Sequence, residues 1–120
     1  MAPIKSEPIK HHVKKQMLTI EQARKLLIET KWLRKRIDDY RNHAIVSLML
    51  TSGMRSDEII HARRIDYTYL DGRPILYISQ KGRSTHEFVS VSKGTEDALM
   101  DYLKKRKDDN PYLFKSHKNE

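Results

Sequence analysis

The sequence predicts an α+β fold in which helices pack with a small three-stranded antiparallel sheet. Three observations point to it. Apolar residues recur at helical spacing from Thr19 to Ala62, extended β-rich runs broken by turn chemistry fill Ile65 to Val91, and helical spacing returns after Ser92. At 120 residues the chain has room for one domain with a modest core.

Residues 1–16 hold two prolines and a Lys10-His11-His12 cluster without an apolar period, and read as a basic linker or trimmed boundary. Thr19 caps the first helix, with Gln22 in the capping-box position and Ala23, Leu26 and Leu27 on one face, fading near Thr30 to Trp32. A second, largely buried helix starts near Asp38 or Asp39 and runs through Ala44, Ile45, Leu48 and Met49 to Thr51. Ser52-Gly53 breaks it, and a short third helix covers Ser56 to Ala62. Strands are predicted over Ile65–Leu70, Ile75–Ser79 and Glu87–Val91, joined at Asp71-Gly72 and Lys81-Gly82-Arg83-Ser84. Ser92 caps a last helix carrying Ala98, Leu99, Tyr102 and Leu103, closed by the basic run Lys104 to Lys107. Tyr112-Leu113-Phe114 must pack on something, and residues 115–120 read as a polar tail.

Composition narrows the partner. Lys and Arg number 24 against 16 Asp and Glu, a net charge of +8 at a pI near 9.7. The surplus is uneven: residues 1–16 carry +3, residues 17–36 +4 and residues 61–93 +3, while residues 37–60 stand at −2. Such blocks favour a polyanion through counterion release and steering, with nucleic acid ahead of an anionic membrane surface. The absence of cysteine excludes a disulfide framework, a thiolate zinc site and a cysteine nucleophile. His11-His12 lacks the spacing of a metal site, and neither metal nor other cofactor is expected. No apolar run approaches the roughly 18 residues of a membrane span, and no signal peptide is visible, so a cytoplasmic protein without membrane contact is expected.

Two features carry chemistry. In Thr51-Ser52-Gly53-Met54-Arg55-Ser56-Asp57-Glu58 a glycine turn delivers Arg55 to the start of a helix, where backbone N–H groups and a guanidinium fork suit an anion. Glu58 shares nearly the same helix face and is placed to hold the Arg55 side chain; alone, the two also read as an ordinary surface pair. In Gln80-Lys81-Gly82-Arg83 a basic tight turn joins two strands. A lysine there can reach a phosphate and donate a proton to a leaving oxygen, or simply keep the turn soluble.

In this order and spacing these features resemble the first half of the catalytic domain of the tyrosine recombinases, the phage and transposon integrase family. The resemblance starts at the Lys-rich linker and at Leu18-Thr19-Ile20-Glu21-Gln22-Ala23, similar to the family's opening Leu-Thr-x-Glu helix. It continues through Ser52-Gly53-Met54-Arg55 with Glu58, Ile65-Asp66, Lys81-Gly82 and Val89-Ser90-Val91, most of residues 9–114. Asp57 and Ala62 depart from it, standing where members usually carry a small residue and a leucine.

The resemblance implies that residues 17–114 are a partial catalytic domain. Arg55 would be the first of two phosphate-clamping arginines, Lys81 the lysine that protonates the departing 5′-oxygen, and Glu58 a supporting acid. Lys10, Lys14, Lys15, Arg63, Arg64 and Arg83 are the expected DNA-backbone contacts. The family completes its site with a later His-x-x-Arg box and a tyrosine nucleophile. His61-Ala62-Arg63-Arg64 matches the box in letters only, since it follows Arg55 by six residues, and the six tyrosines fall in packing positions. The implied function is a DNA-binding fragment of a site-specific recombinase, inactive alone. Its intact parent would recombine or integrate double-stranded DNA with other protomers, through a phosphotyrosyl intermediate and without a cofactor. The alternative is a short, non-catalytic DNA-binding regulatory protein of the same partial fold; an RNA-binding domain ranks lower, lacking RNP-like or GXXG motifs.

Overall fold

A computed structural model describes residues 18–78 and 87–117, so Lys10, Lys14, Lys15, Lys81 and Arg83 lie outside the described residues. Thr19 opens helix α1 (Ile20–Trp32) as its sequence predicts: its hydroxyl accepts the Gln22 N–H and Gln22 Oε1 accepts the Thr19 N–H, each at 3.0 Å. None of the α1 residues is fully buried. The half-buried Ala23, Leu27 and Thr30 share one face, from which the Thr30 hydroxyl meets His43 Nδ1 of the next helix at 2.7 Å.

Helix α2 (Ile37–Ser52) starts on Asp39, whose Oδ2 accepts the N–H groups of Arg36 and Lys35 at 2.9 and 3.0 Å. Those two bonds hold the Asp39 carboxyl below its usual range. The helix ends at Gly53, where a φ of 75° favours a residue without Cβ and the N–H closes on Met49 O at 3.3 Å. Helix α3 (Ser56–His61) follows at once.

The first strand begins later than predicted. Asp66 Oδ2 accepts the Arg63 N–H at 3.0 Å and folds Arg64–Asp66 into a 3-10 turn, leaving Ile65 exposed. A local side chain to main chain bond there competes with the ladder. The sheet is then β1 (Tyr67–Leu70), β2 (Arg73–Tyr77) and β3 (Phe88–Ser90), antiparallel in that spatial order. Asp71 and Gly72, with φ of 53° and 79°, form the two-residue turn that sets the register Leu70 to Arg73 and Tyr67 to Leu76.

Helix α4 (Lys93–Lys105), capped by the Ser92 hydroxyl on Thr95 N at 3.3 Å, supplies the other half of the core. Its Thr95, Ala98, Leu99 and Tyr102 recur at helical spacing and are all buried. With Ala44 and Leu48 of α2, Leu76, Val91, Leu113 and Phe114, the side chains of Ala98, Leu99 and Tyr102 form one cluster, each large apolar side chain contributing about 1.5–3 kcal/mol by leaving water. Between α2 and α4 the buried Thr95 hydroxyl lies 2.7 Å from the buried Ser47 Oγ and 2.9 Å from Thr51 Oγ1, so it is satisfied from both.

The C-terminal segment departs from expectation twice. Arg106 is no part of a solvated basic run, because its side chain turns inward and is 1% exposed. The packed body also runs beyond Phe114: Arg41 Nη1 donates to Lys115 O at 2.8 Å, and the ring of His117, buried edge-on against Tyr102, places Nε2 2.7 Å from the Tyr102 hydroxyl. A polar string thus ends in a core contact.

Candidate nucleic-acid interface

Arg55 is set by the elements on both sides of it. Gly53 reverses the chain out of α2, the buried Met54 anchors the turn in the core, and Arg55 takes an extended conformation (φ −78°, ψ 152°) at the N-cap position of α3. Glu58 Oε1 then accepts the Arg55 N–H at 2.8 Å. The acids Asp57 and Glu58 also suit the positive end of the helix dipole. The sequence placed Glu58 beside the Arg55 side chain, whereas the carboxylate grips the main chain. The exposed Arg55 guanidinium makes no hydrogen bond or ion pair with a described residue.

The neighbouring basic residues divide. Arg63 is exposed and its side chain pairs with no described residue, while its backbone forms an antiparallel bridge with Tyr112. Arg64 turns inward: Nη2 donates to Asp108 O at 3.2 Å and lies 3.5 Å from Asp108 Oδ1. His61 Nδ1 bonds to Asp57 O at 2.8 Å, one turn back along its own helix, so His61-Ala62-Arg63-Arg64 is not arranged as a phosphate box. Tyr102 is buried in the core, and burial first, then the neighbouring Tyr69 phenol, pushes the Tyr67 hydroxyl far above its ordinary range. Neither is placed or activated as a nucleophile.

Among the described residues no three His, Asp or Glu side chains gather closely enough to hold a metal ion. A cleft of about 490 Å³ opens between α1, α2 and α4, lined by Leu27, Arg34, His43, Ser47, Asp97 and Met100 among others, and includes none of the predicted site residues. No described helix is long and apolar enough to cross a membrane. Sequence reasoning missed the inward turn of Arg106 onto Asp108. The following Asp108-Asp109-Asn110-Pro111 turn, which reverses the chain beside it, was the available signal.

No family model matches the sequence, and no curated protein matches it significantly. Solved structures do. The crystal structure of XerA recombinase is similar with a TM-score of 0.66 at 28% identity, over 84% of this chain and 35% of that chain. The XerH site-specific recombinase bound to a palindromic difH substrate, a post-cleavage complex, is similar with a TM-score of 0.66 at 23% identity, over 86% of this chain and 30% of that chain. Its pre-cleavage complex with difH gives 0.65 at 22% identity, over 84% and 30%. The chain therefore spans about a third of the length of the recombinases it matches. With its described helices and three-stranded antiparallel sheet superposing on theirs, the chain has the fold of a fragment of the site-specific tyrosine recombinases.

Proposed function

We propose that this chain is the DNA-binding first part of the catalytic domain of a site-specific tyrosine recombinase of the phage or mobile-element kind. It would act in the cytoplasm on double-stranded DNA together with further protomers. The observation that carries this reading is Arg55, an exposed guanidinium that pairs with no described residue, on a backbone held by Gly53, Met54 and Glu58, within a recombinase-like fold.

A phosphodiester under attack gathers negative charge on its non-bridging oxygens. A guanidinium delivered there on a held backbone stabilises that charge more in the transition state than in the ground state. Arg55 takes this part, and Lys81, by the family resemblance, donates the proton to the departing 5′-oxygen. The attacking tyrosine and the second arginine would come from the rest of the recombinase. Lys10, Lys14, Lys15, Arg63 and Arg83 add backbone contacts, which fix register without reading sequence.

Binding of the chain to a labelled DNA duplex across a salt series tests the reading. Affinity should fall steeply with salt, and Arg55→Ala should weaken it and lower the log–log slope by about 1. Binding indifferent to salt and to Arg55 would defeat it. In the intact recombinase a nicked attachment-site substrate should trap a covalent protein–DNA adduct that Arg55→Ala abolishes. A natural reading frame closing at Glu120 would favour the non-catalytic regulator.

A further inference from the structure

We infer that Arg106 is a positioning residue for Arg55, acting through the C-terminal segment that backs helix α3; this rests on reading Arg55 as a phosphate contact. Arg106 is the first residue past α4, flanked by the exposed Lys105 and Lys107, yet its own side chain is 1% exposed and cannot reach DNA. Its guanidinium gathers a whole loop. Nη2 and Nε form a fork on the Asp108 carboxylate at 2.6 and 3.1 Å, and Nη2 also reaches Asn110 O at 3.3 Å. Nη1 donates to Tyr112 O at 2.7 Å and Leu113 O at 2.9 Å. The charge lies 5.7 Å above the Tyr102 ring centroid. It also holds the Asp108 carboxyl well below the usual carboxylate range.

That loop in turn holds the far end of the Arg55 helix. Leu113 N–H donates to Ala62 O at 2.9 Å, Arg64 N–H donates to Pro111 O at 2.8 Å, and Arg63 bridges Tyr112 between them. Ala62 is the C-cap of α3, whose N-cap is Arg55. Leu113 and Phe114 belong to the same core cluster as Met54, Ile59 and Ala62. A helix of six residues cannot sustain itself in water, so α3 takes its orientation from its flanks. One flank is the Gly53-Met54 turn; the other is the strand-like pairing that Arg106 keeps in place. Lysine could not substitute, because one ammonium has three donors and no planar fork to span a carboxylate and three carbonyls together.

The test uses the whole chain and two readouts: affinity for a fluorescein-labelled DNA duplex, and amide exchange at Ile59, whose N–H donates to Arg55 O at 3.0 Å. Arg106→Lys should speed Ile59 exchange by about tenfold while Ala44 and Leu48 in α2 hold their protection, a pattern that global destabilisation would not give. It should also weaken DNA binding as Arg55→Ala does and add nothing in the Arg55→Ala background. Asp108→Asn, which keeps the buried cation and the residue's size, should repeat both effects and decides the matter where Arg106→Lys fails to fold. Unchanged Ile59 exchange in the folded variants, or losses of affinity that add to that of Arg55→Ala, would overturn the inference. If Arg55→Ala leaves affinity intact while Ile59 exchange still quickens, Arg106 positions α3 and the phosphate reading of Arg55 is what fails.

Discussion

Glu58 Oε1 accepts the main-chain N–H of Arg55 at 2.8 Å, so the acid fixes the backbone of the arginine and leaves its guanidinium to solvent. A neutral glutamine keeps an acceptor oxygen at that position and alanine does not. Glu58→Ala should therefore lower stability by about 1 kcal/mol, the cost of a lost cap, and Glu58→Gln by about half that, for the charge alone at the helix dipole. Urea denaturation of the two variants measures it. On DNA, Glu58→Gln should bind at least as tightly as the parent, because an anion beside the phosphates is gone. Glu58→Ala should bind more weakly than Glu58→Gln. Equal stability of the two variants would show that the bond does not hold Arg55.

Gly53 tests the other side of the same turn. Nothing lies within 4 Å of where a Cβ would stand, so alanine meets no clash, but its φ of 75° places an L side chain in the left-handed region. Gly53→Ala should cost about 1–2 kcal/mol through the backbone alone. Because Met54 and Arg55 follow directly, the loss of stability should come with a loss of DNA affinity. A melting temperature unchanged from the parent would remove the turn from the account of Arg55.

What the sequence revealed was what short range decides. The Thr19–Gln22 box, the Asp71-Gly72 turn, the Gly53 stop and the Ser92 cap each depend on residues within four positions, and each is where the sequence puts it. The delivery of Arg55 to a helix start was legible for the same reason. What its guanidinium meets was not, since a Glu three residues on can serve the side chain or the N–H equally well. Arg106 was hidden because four consecutive basic residues look alike, and the choice among them is made by carbonyls of Tyr112 and Leu113. His117 was hidden because its partner, Tyr102, sits fifteen residues back on a helix. Ile65 was read as strand because its β-branched side chain suits one, while the Asp66 carboxylate that bends the chain acts on Arg63.

Arg63 and Arg64 are adjacent and should behave oppositely. Arg63 is exposed with a side chain that pairs with no described residue, so Arg63→Ala should weaken DNA binding, reduce the salt slope by about 1 and leave stability within about 0.5 kcal/mol. Arg64 is tied to Asp108, so Arg64→Ala should cost about 1 kcal/mol of stability and alter the salt slope less. Denaturation and salt titration on the same two variants give both numbers. A larger salt-slope change for Arg64 than for Arg63 would mean that the Asp108 contact opens on DNA.

His43 makes the docking of α1 sensitive to acid. The ring is buried on α2 with Nδ1 2.7 Å from the Thr30 hydroxyl, which itself lies 3.2 Å from Leu27 O. One hydroxyl has one proton; given to Leu27 O, it leaves Nδ1–H of a neutral ring to donate to Thr30, a tautomer assigned from the network. Burial is the main cause that lowers the His43 pKa, followed by the charges of Arg34 and Lys31, with Asp101 opposing them. The unfolded chain therefore takes up the proton at higher pH than the folded one. This contribution to stability is intact above the ordinary histidine value of 6.5 and is lost as pH falls from there through the lowered folded value. Because α1 has no fully buried residue, the loss should appear first as faster amide exchange in α1 while α4 stays protected. His43→Gln, which can still donate to Thr30 and does not titrate, should flatten that part of the pH profile. A ring titration by NMR giving His43 a pKa at or above 6.5 would contradict the argument, because such a ring loses no stability as acid is added.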